Sequence, residues 1–428
     1  MRKIGVAILG LGTVGSGTYE ILTKNRERMK QVYSYDVEVV AVMDKSEERL
    51  MALQIPEEKV AKSIMEIALN PEIDIVVEVI GGIGVAKEFV ITCLEGGKTV
   101  VTANKEMIAK NFKQLHRLAK DNNAGLYYEA TCVGGTPVIR TLIDSMQGND
   151  IESLMGIVNG TTNYILTKMS DEGLSYEDAL KEAQRLGFAE FDPSADVEGF
   201  DASYKLSILS SLAFNGEVST DNIFREGIST IQKEDINYGK ELGYTLKLLA
   251  IGKKTEKGIE ARVHPTFIKN GNPLASVKGS FNALKIVGDA VGDIMLYGRG
   301  AGSLPTGSAI VSDILYASKF LDYGHYYPTE TKAYKHNVFN FTNDFECSYY
   351  IRMLVEDKTG VLAIVGQLLA ENDVSITEVI QKGEAPDGLI PIIITTHKTS
   401  ESKIQNTLTN AKNYSQINKI VSVIRIEK

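Results

Sequence analysis

The sequence predicts an α/β protein that begins with a doubly wound parallel sheet, continues with an α+β domain and ends with a ferredoxin-like βαββαβ unit. Three observations predict this fold class. A glycine-rich turn follows the first apolar run, and short apolar runs then alternate with helical patterns up to about residue 135. From residue 347 onward the pattern changes to strand, helix, strand, strand, helix, strand.

The first domain, residues 1–135, is predicted from short apolar runs that indicate buried strands. Segments of helical length separate these runs, beginning with a helix over 14–24. Strands that alternate with helices form right-handed βαβ units, which produce a parallel sheet of the Rossmann type. The predicted strands cover 4–9, 37–43, 73–80, 98–103 and 126–131.

The second domain, residues 136–321, begins at the VGGTP stretch, where the strict alternation ends. Longer helices separate its strands, which predicts an α+β domain whose sheet faces the cleft of the first domain. A helix over 308–321 is expected to pack back on the first domain. The predicted strands are 154–158, 246–252, 259–268 and 283–288.

The third unit, residues 347–428, follows a predicted linker at 322–346, which is rich in Tyr, His, Thr and Asn and lacks apolar periodicity. The order of its apolar segments predicts the ferredoxin-like plan. The predicted strands are 348–355, 374–381, 388–396 and 417–426, and the predicted helices are 360–370 and 400–411.

Composition limits the classes of binding partner and the cellular compartment that the protein is expected to have. The 428 residues carry a net charge of −9, which disfavours a nucleic-acid or anionic-membrane partner. No apolar run approaches the roughly 18 residues of a membrane span, and we expect no signal peptide. The three cysteines, Cys93, Cys132 and Cys347, form no C-x-x-C pair, which predicts a reducing, cytoplasmic setting without disulfides.

A G-x-G-x-x-G pattern, Gly10, Gly12 and Gly15, stands directly after the first predicted strand and opens a helix. In a dinucleotide site the first glycine makes the tight turn, the second admits the pyrophosphate and the third lets helix and strand pack closely. The alternative is a plain turn between strand and helix. The context favours a dinucleotide site, because phosphates bind at helix N-termini.

The ribose partner of such a cofactor is expected at the end of the second strand, where Asp44 stands. An acid at this position favours NAD, because it accepts hydrogen bonds from the ribose hydroxyls. Lys45 is adjacent and Arg49 is close, and either could hold the 2′-phosphate of NADP. The pattern therefore leaves NAD and NADP open.

Two lysines are the candidates for acid–base chemistry. The five histidines are scattered without metal-ligand spacing, which disfavours zinc chemistry. Lys105 follows a parallel strand, where α/β sheets place ligands. Lys205 stands four residues after Asp201, so a helix would put both on one face, with Glu198 expected to join them. A solvated, salt-bridged helix is the alternative, but small and apolar neighbours indicate burial, and a buried lysine beside carboxylates can donate a proton.

The motifs GLGTVG, TANK, EATCVGGTP, GIVNGTTNYIL, GFAEFDPSADVEGFDASYK and GRGAGSLPTGSAIVSDI together resemble the homoserine dehydrogenase family over residues 1 to about 320. The resemblance implies NAD(P)-dependent interconversion of L-homoserine and L-aspartate 4-semialdehyde. It also implies roles for individual residues. Lys205 matches the acid–base lysine, Lys105 matches a second lysine near nicotinamide and substrate, and Glu190 and Asp201 match acids that hold the substrate.

The same resemblance extends to the loops around substrate and cofactor. A substrate-side loop is implied at Asn159, Gly160, Thr161 and Thr162. Residues implied to lie against the cofactor are Thr13 and Val14 in the phosphate loop, Ile80 under the nicotinamide, and Gly187 and Gly302, where a side chain would obstruct binding.

A sodium site is implied by the resemblance at Glu129, Cys132, Gly134 and Thr136, mainly through backbone carbonyls. Hard oxygen ligands suit such a cation. Many family members have apolar residues where this chain has Cys132 and Thr136, a departure that carbonyl ligation tolerates. The Cys132 thiol would then be incidental to the site.

The segment VEDKTGVL, 355–362, resembles the beginning of an ACT domain, with Thr359 in place of the usual proline. Such domains bind amino acids or pair with each other, so the resemblance implies either a threonine effector or a dimerising module. We expect a homodimer or a higher homo-oligomer. Two other functions stay open: an amino-acid sensor that has lost catalysis, and a related amino-acid or semialdehyde dehydrogenase, whose acylating form would need Cys132 as nucleophile.

Overall fold

The N-terminal domain is built on a five-stranded parallel sheet in the order β2-β1-β3-β4-β5. The computed structural model describes residues 2–382 and 388–427. The chain passes from β1 to one neighbour and then to the other, and this reversal opens a crevice at the carboxyl ends of the strands. The strands are β1 (Arg2–Leu9), β2 (Tyr35–Met43), β3 (Ile75–Glu78), β4 (Thr99–Thr102) and β5 (Leu126–Tyr127).

Helices cover both faces of this sheet, which explains why its central strands are apolar throughout. Ile4, Val6, Ile8 and Leu9 of β1 are all fully buried. The helices are α1 (Thr13–Lys24), α2 (Arg26–Tyr33), α3 (Glu47–Ala52), α4 (Ile64–Leu69), α5 (Val85–Glu95), α6 (Lys105–Lys110) and α7 (Phe112–Asp121).

The chain leaves the sheet earlier than predicted after β5. The predicted strand over 126–131 is wrong beyond Tyr127, since 129–131 form a 3₁₀ turn. The Glu129 N–H donates to Asp313 at 2.8 Å, and the Glu129 carboxylate accepts the N–H groups of Ile139 and Arg140. These bonds take the place of strand pairing, so a buried carboxylate determines the turn.

The middle domain has an antiparallel sheet in the order β11-β10-β6-β8-β9, with β7 beside β9. The last strand, β11, was not predicted, because its sequence GDIMLYGR lies at an exposed edge and lacks regular alternation. The strands are β6 (Ile151–Ile157), β7 (Phe224–Arg225), β8 (Tyr244–Thr255), β9 (Gly258–Lys269), β10 (Phe281–Gly288) and β11 (Gly292–Arg299).

One buried helix, α12, lies between this sheet and the N-terminal domain. It contacts β8 and β9 on one side and α6 on the other, so the sheet faces the first domain through a helix. The helices of this part are α8 (Val138–Arg140), α9 (Gly160–Glu172), α10 (Tyr176–Arg185), α11 (Ser194–Val197), α12 (Phe200–Ala213), α13 (Lys233–Glu241) and α14 (Ser303–Ala317).

The helix predicted over 308–321 is α14, and it packs on α1 of the first domain. Glycines allow the close approach. A Cβ atom at Gly17 would lie 2.5 Å from the carbonyl oxygen of Ser303, and one at Gly307 would lie 2.9 Å from the backbone nitrogen of Thr18. The helix that begins at the glycine-rich turn is therefore held by the end of the middle domain.

The segment predicted as a linker is packed against the first domain. It contains α15 (Lys332–His336), where Tyr334 is buried and stacks on Phe112 with ring centroids 6.1 Å apart. The Tyr327 hydroxyl donates to the carbonyl of Ala124 at 3.0 Å. Phe345, at its end, enters the core of the C-terminal unit. Its apolar side chains serve different cores, which explains the missing periodicity.

The C-terminal unit has the predicted βαββαβ plan, with antiparallel strand order β16-β12-β14-β13. In addition, β16 pairs in parallel with β9, so one sheet runs continuously from the middle domain into this unit. Its elements are β12 (Glu346–Glu356), α16 (Val361–Glu371), β13 (Ile376–Gln381), β14 (Leu389–Thr396), β15 (Thr399–Ser400), α17 (Glu401–Asn410) and β16 (Ile417–Glu427). None of the helices in the described ranges is long and apolar enough to cross a membrane.

Candidate active site

The glycine-rich turn between β1 and α1 has the shape that a pyrophosphate needs. Gly10 has a φ of 96°, which favours glycine. A Cβ atom at Gly15 would lie 1.9 Å from the carbonyl oxygen of Gly10, whereas a Cβ at Gly12 would meet nothing within 4 Å. Gly12 therefore faces open space at the start of α1, beside Thr13 and Val14, and the turn fits a dinucleotide.

Asp44, at the end of β2, is tied to the glycine-rich turn. Its carboxylate accepts the N–H of Leu11 and, at 2.8 Å, the N–H of Ser46. Burial opposes ionisation, but these two hydrogen bonds outweigh it and lower the pKa of Asp44. Arg49 lies 3.6 Å from the same carboxylate, and the Lys45 side chain is exposed. A carboxylate and two cationic side chains therefore lie together at the position expected for the cofactor ribose.

A cavity of about 270 Å³ opens at the carboxyl ends of β3 and β4. Val14 and Ile80 line one part of it, and Lys105 lines another. The side-chain oxygen of Asn104 accepts the N–H of Met107 at 3.1 Å, so Asn104 caps α6 and places Lys105 at its first position. The Asn104 amide also donates to the carbonyl of Gly82 at 2.6 Å, which joins the two loops.

Asp201 brings the two predicted lysines together. Its Oδ1 atom lies 2.8 Å from Nζ of Lys105, and its Oδ2 atom lies 2.6 Å from Nζ of Lys205. Lys205 also donates to the carbonyl of Val158 at 2.7 Å. Only 8% of Lys205 and 3% of Asp201 are exposed, which rules out a solvated helix surface. The spacing of four residues on α12 places the pair as predicted.

The charges in this cluster support one another. Burial would raise the pKa of Asp201, but Lys205 and Lys105 lower it well below its usual range. In turn, the charge of Asp201 is the largest cause of a raised pKa at Lys105. The carboxylate therefore stays ionised and keeps Lys105 charged beside the cavity.

The acid that joins this cluster from the preceding segment is Asp196, not Glu198. The Asn159 amide donates to Asp196 Oδ1 at 2.6 Å and to Asp201 Oδ2 at 2.8 Å. Burial, followed by the charge of Asp201, raises the pKa of Asp196. Glu198 was expected on the helix face, but Gly199, at a φ of 79°, starts α12 after it. The sequence reasoning missed Asp196, although it lies within the GFAEFDPSADVEGFDASYK motif.

The loop from Asn159 to Thr162 holds the start of α9. The Asn159 side-chain oxygen accepts the N–H of Thr162 at 2.9 Å, and the Thr161 hydroxyl donates to the carbonyl of Phe188 at 2.7 Å. Gly160 is close-packed, since a Cβ there would lie 2.8 Å from the carbonyl of Ser280. The cap thus orients the amide that Asn159 presents to the acids.

The remaining predicted contacts lie on loops at the edge of this cluster. Glu190 is exposed, and its carboxylate makes no hydrogen bond or ion pair within the described residues. Gly187 has a φ of 76° and follows α10, and Gly302 has a φ of 127° and precedes α14. Both glycines thus sit in backbone conformations that side chains rarely adopt.

The implied cation loop turns sharply at Val133 and Gly134, whose φ angles are 55° and 50°. The carbonyl of Thr136 accepts the N–H of Val138, and that of Glu129 accepts the N–H of Cys132 at 3.3 Å. Within the ranges described, the carbonyls of Cys132 and Gly134 accept no hydrogen bond. The loop therefore offers carbonyl oxygens with free lone pairs, which fits a hard cation.

Two buried carboxylates lie next to this loop. Within the described residues, Glu129 and Asp313 share one cation, Arg140, which pairs with Asp313. Burial raises the pKa of both acids, and the charge of Asp313 raises the pKa of Glu129 further. The part of the chain described here has no group of three or more His, Cys, Asp or Glu side chains arranged to hold a metal.

Cys132 does not have the surroundings of a nucleophile. The thiol is fully buried, and burial raises its pKa to about 12. Its hydrogen-bond partners are the Thr131 hydroxyl and, at 3.8 Å, the carbonyl of Lys205. This environment argues against the acylating dehydrogenase alternative.

Fold and site together define an NAD(P)-dependent oxidoreductase with a separate substrate domain. Family models match as follows: homoserine dehydrogenase, NAD binding domain, over residues 10–129; homoserine dehydrogenase over 137–315; and ACT domain over 349–414. The chain belongs to the homoserine dehydrogenase family and carries a C-terminal ACT domain. The predicted family, fold class and enzyme class are thereby confirmed.

Similar proteins cover the whole chain. Homoserine dehydrogenase of Neisseria gonorrhoeae is 39% identical over 100% of this chain and 99% of its own length, and that of Bacillus subtilis is 37% identical over the same shares. A homoserine dehydrogenase structure from Thiobacillus denitrificans matches with a TM-score of 0.94 and 37% identity, covering 100% of this chain and 98% of that one. A hyperthermophilic archaeal homoserine dehydrogenase in complex with NADPH matches with a TM-score of 0.64 and 31% identity, covering 74% of this chain and 98% of that one.

Proposed function

We propose that hydride transfer between L-homoserine and L-aspartate 4-semialdehyde takes place between the cavity at Ile80 and the first turns of α12. The observation that carries this proposal is the Asp201 carboxylate, bonded to Lys105 on one side and to Lys205 on the other. Lys105 belongs to the nucleotide domain and Lys205 to the substrate domain. The two lysines therefore meet where cofactor and substrate must meet.

Lys205 is the acid–base group in this proposal. An ammonium group has three N–H donors, and within the described residues two of them are used, by Val158 and Asp201. The third can donate its proton to the developing alkoxide during reduction, which leaves a neutral amine. In the oxidation direction the neutral amine accepts the hydroxyl proton and becomes the ammonium again. Lys105 adds positive charge near the same oxygen. A bound nicotinamide supplies or accepts the hydride.

The substrate ammonium group is proposed to bind at the acids around Asn159. Asp196 and Asp201 are held by the same amide, and an ammonium needs carboxylate acceptors. Glu190 is exposed and free to turn toward the amino group. Gly160, Thr161 and Thr162 fix the loop that carries Asn159. Asp196 thus joins the substrate contacts that the sequence predicted.

The phosphate loop is proposed to hold NADP or NAD through Gly10, Gly12, Thr13, Val14 and Gly15. Gly187 and Gly302 are proposed to lie against the cofactor. Both oxygens of Asp44 accept backbone N–H groups, and Arg49 lies 3.6 Å from that carboxylate, exposed enough to meet a 2′-phosphate. Titrating NADPH and NADH into wild type and Arg49→Ala separates the two. If only NADPH binding weakens in the variant, Arg49 selects NADP. If the variant binds each cofactor as tightly as wild type does, the ribose is assigned to Asp44.

We propose sodium at the loop formed by Glu129, Cys132, Gly134 and Thr136. Two carbonyls with free lone pairs support this, as do the two buried carboxylates, Glu129 and Asp313, that share Arg140 beside the loop. Thermal unfolding in sodium chloride and in choline chloride at equal ionic strength is the test. A higher midpoint in sodium is expected, and identical midpoints would contradict the site.

The ACT domain is proposed to bind threonine at the start of α16, next to its N-cap Gly360, which has a φ of 90°. Calorimetric titration of L-threonine tests this, and no heat would favour a dimerising module. A cytoplasmic setting is also proposed, supported by the three buried free cysteines, Cys93, Cys132 and Cys347. A homodimer completes the proposal. Light scattering of the purified protein measures its mass in solution.

The decisive test is NAD(P)-linked oxidation of L-homoserine by wild type and Lys205→Ala. Lysine at this position is expected to contribute roughly 10²- to 10⁴-fold to turnover, while folding and NADPH binding survive its loss. Near-wild-type turnover in the variant would overturn the assignment of Lys205. No turnover by folded, cofactor-binding wild type would favour the amino-acid sensor.

A further inference from the structure

A fully buried carboxylate, Glu78, ends β3 directly beneath the active-site cavity, and the mechanism above makes no use of it. Within the described ranges it forms no ion pair with a lysine, arginine or histidine. Its oxygens instead face neutral donors. An unpaired buried carboxylate costs free energy, so its presence calls for a physical account.

Glu78 links the two loops that wall the cavity. Its Oε1 atom accepts the N–H groups of Ile80 at 2.9 Å and Gly81 at 3.3 Å. Its Oε2 atom accepts the hydroxyl of Thr102 at 2.6 Å. One carboxylate therefore holds the loop after β3 and the end of β4 at the same time.

The ring continues through Asn104. The Thr102 hydroxyl oxygen accepts the N–H of Asn104 at 2.9 Å, and the Asn104 amide returns to the carbonyl of Gly82 at 2.6 Å. Asn104 is also the cap of α6, whose first residue is Lys105. Ile80 and Lys105 thus stand on two loops whose separation depends on these bonds.

We propose that Glu78 is a positioning residue for hydride transfer, which holds the nicotinamide seat at Ile80 and the ammonium of Lys105 at a fixed separation. This inference rests on the site proposed above. Within the described residues the carboxylate meets three hydrogen-bond donors, which favour its ionised form, while burial raises its pKa. In its ionised form Glu78 would favour a bound nicotinamide that is positive, the oxidised form, over one that is neutral, the reduced form.

A change at Glu78 should affect kcat and cofactor affinity more than the KM for homoserine. The substrate acids Asp196 and Asp201 lie on the other domain, and Asp201 keeps its contact with Lys205, so the KM for homoserine should change less than kcat when Glu78 is altered. Alignment of the nicotinamide with the substrate depends on the ring, and a misplacement of about 1 Å can cost roughly 100-fold in rate. The effect should therefore fall on kcat and on the ratio of NADP⁺ to NADPH affinity.

The test uses the full-length enzyme with Glu78→Gln, which removes the charge, and Thr102→Val, which removes the link but keeps the charge. Thr102→Ser is the rescue variant, because it restores the hydroxyl. Thr99→Val, on the same strand but bonded to Gly125, is the matched control. The measurements are kcat, the KM for homoserine, and the Kd of NADP⁺ and of NADPH.

Glu78→Gln is expected to lower kcat by roughly 10- to 100-fold and to weaken NADP⁺ by roughly fivefold more than NADPH. Thr102→Val should lower kcat without changing the ratio of NADP⁺ to NADPH affinity. Thr102→Ser should have the kcat of wild type. Wild-type kcat in Thr102→Val, or in a folded Glu78→Gln, would overturn the inference, and Thr102→Val decides alone if Glu78→Gln does not fold. Should Lys205→Ala and Lys105→Ala also retain activity, the proposed site itself fails.

Discussion

Asp201 forms an ion pair across the two domains: its carboxylate lies 2.8 Å from Nζ of Lys105 in the nucleotide domain and 2.6 Å from Nζ of Lys205 on its own helix. The pair with Lys105 joins α6 to α12 at the cavity. A single carboxylate therefore balances part of the charge of two ammonium groups and fixes their positions. The position of the domains and the charge of the site depend on the same side chain.

Replacing Asp201 by Asn should abolish most turnover. The amide cannot neutralise two buried ammonium groups, and one partner removed from a buried pair leaves the other uncompensated. Lys105 loses the main cause of its raised pKa. We expect kcat to fall by at least about 100-fold, measured as NAD(P)H formation from homoserine.

Glu198→Gln is the matched control for that variant, since Glu198 precedes α12 and, among the described residues, forms no ion pair with Lys105 or Lys205. It should retain wild-type kcat. Equal losses in both variants would mean that general acidity of the segment, and not the geometry at Asp201, supports catalysis.

The sequence could predict the Asp201–Lys205 pair because a helix converts a spacing of four into a contact. It could not predict Asp196, because that contact depends on the left-handed backbone of Gly199, which starts α12 late and turns the preceding segment. Asn159, at the start of α9, joins Asp196 to Asp201 although it is more than 30 residues away in the sequence, a relation that no local pattern records.

In the fold, too, local features could be predicted from the sequence and long-range contacts could not. Alternation of apolar runs predicted the parallel sheet and the βαββαβ unit, because both are built from local repeats. The pairing of β16 with β9 joins residues such as Arg425 and Thr266, which are far apart in the chain, and edge pairing leaves no periodic trace. The turn at 129–131 was missed because a buried carboxylate, Glu129, overrides strand propensity there.

Alanine substitutions at two glycines of the α1 region should affect different properties, cofactor binding in one case and stability in the other. A Cβ at Gly12 meets nothing within 4 Å, so Gly12→Ala should fold normally but obstruct the cofactor pyrophosphate. A Cβ at Gly17 would lie 2.5 Å from Ser303, so Gly17→Ala should separate α1 from α14 and lower stability by about 1–3 kcal/mol.

Thermal unfolding and the Kd of NADPH, measured on both variants, separate the two effects. A normal Kd in Gly12→Ala would place the pyrophosphate elsewhere. An unchanged melting temperature in Gly17→Ala would mean that the two helices can adjust.

Stability should rise with pH through the titration of Lys247. This lysine is 2% exposed and donates to the neutral acceptors Asn163 and Val277. Burial lowers its pKa to about 8. Between pH 8 and about 10.4 the unfolded chain holds a proton that the folded chain has released, so the free energy of unfolding increases by about 3 kcal/mol over that range.

Denaturant unfolding of wild type and Lys247→Met at several pH values measures this term. The difference between the two proteins cancels the titration of all other groups. Wild type should gain stability relative to the variant from pH 8 to 10, and a constant difference would mean that the Lys247 pKa is not lowered in the folded protein.

The ACT domain is connected to the substrate segment through Arg425. Its guanidinium, 3% exposed, pairs with Glu401 of α17 at 2.8 Å and with Glu226 of the middle domain at 2.6 Å. Next to Glu226, the N–H of Ile228 donates to the carbonyl of Val197 at 2.8 Å. Val197 ends α11, which carries Asp196. A short chain of contacts therefore leads from an ACT helix to the substrate acids.

Arg425→Met should destabilise the enzyme and weaken homoserine binding together. Removing the guanidinium leaves Glu401 buried without its cation, a change that costs about 3–5 kcal/mol. The segment that holds Val197 loses its anchor on β16, so the KM for homoserine should rise while the Kd of NADPH, bound on the other domain, stays the same. Lys403→Met is the control: Lys403 lies on α17 like Glu401, and its exposed pair with Asp373, which follows α16, should affect neither stability nor the KM. A lower melting temperature with an unchanged KM would mean that Arg425 only attaches the ACT domain and does not reach the substrate acids.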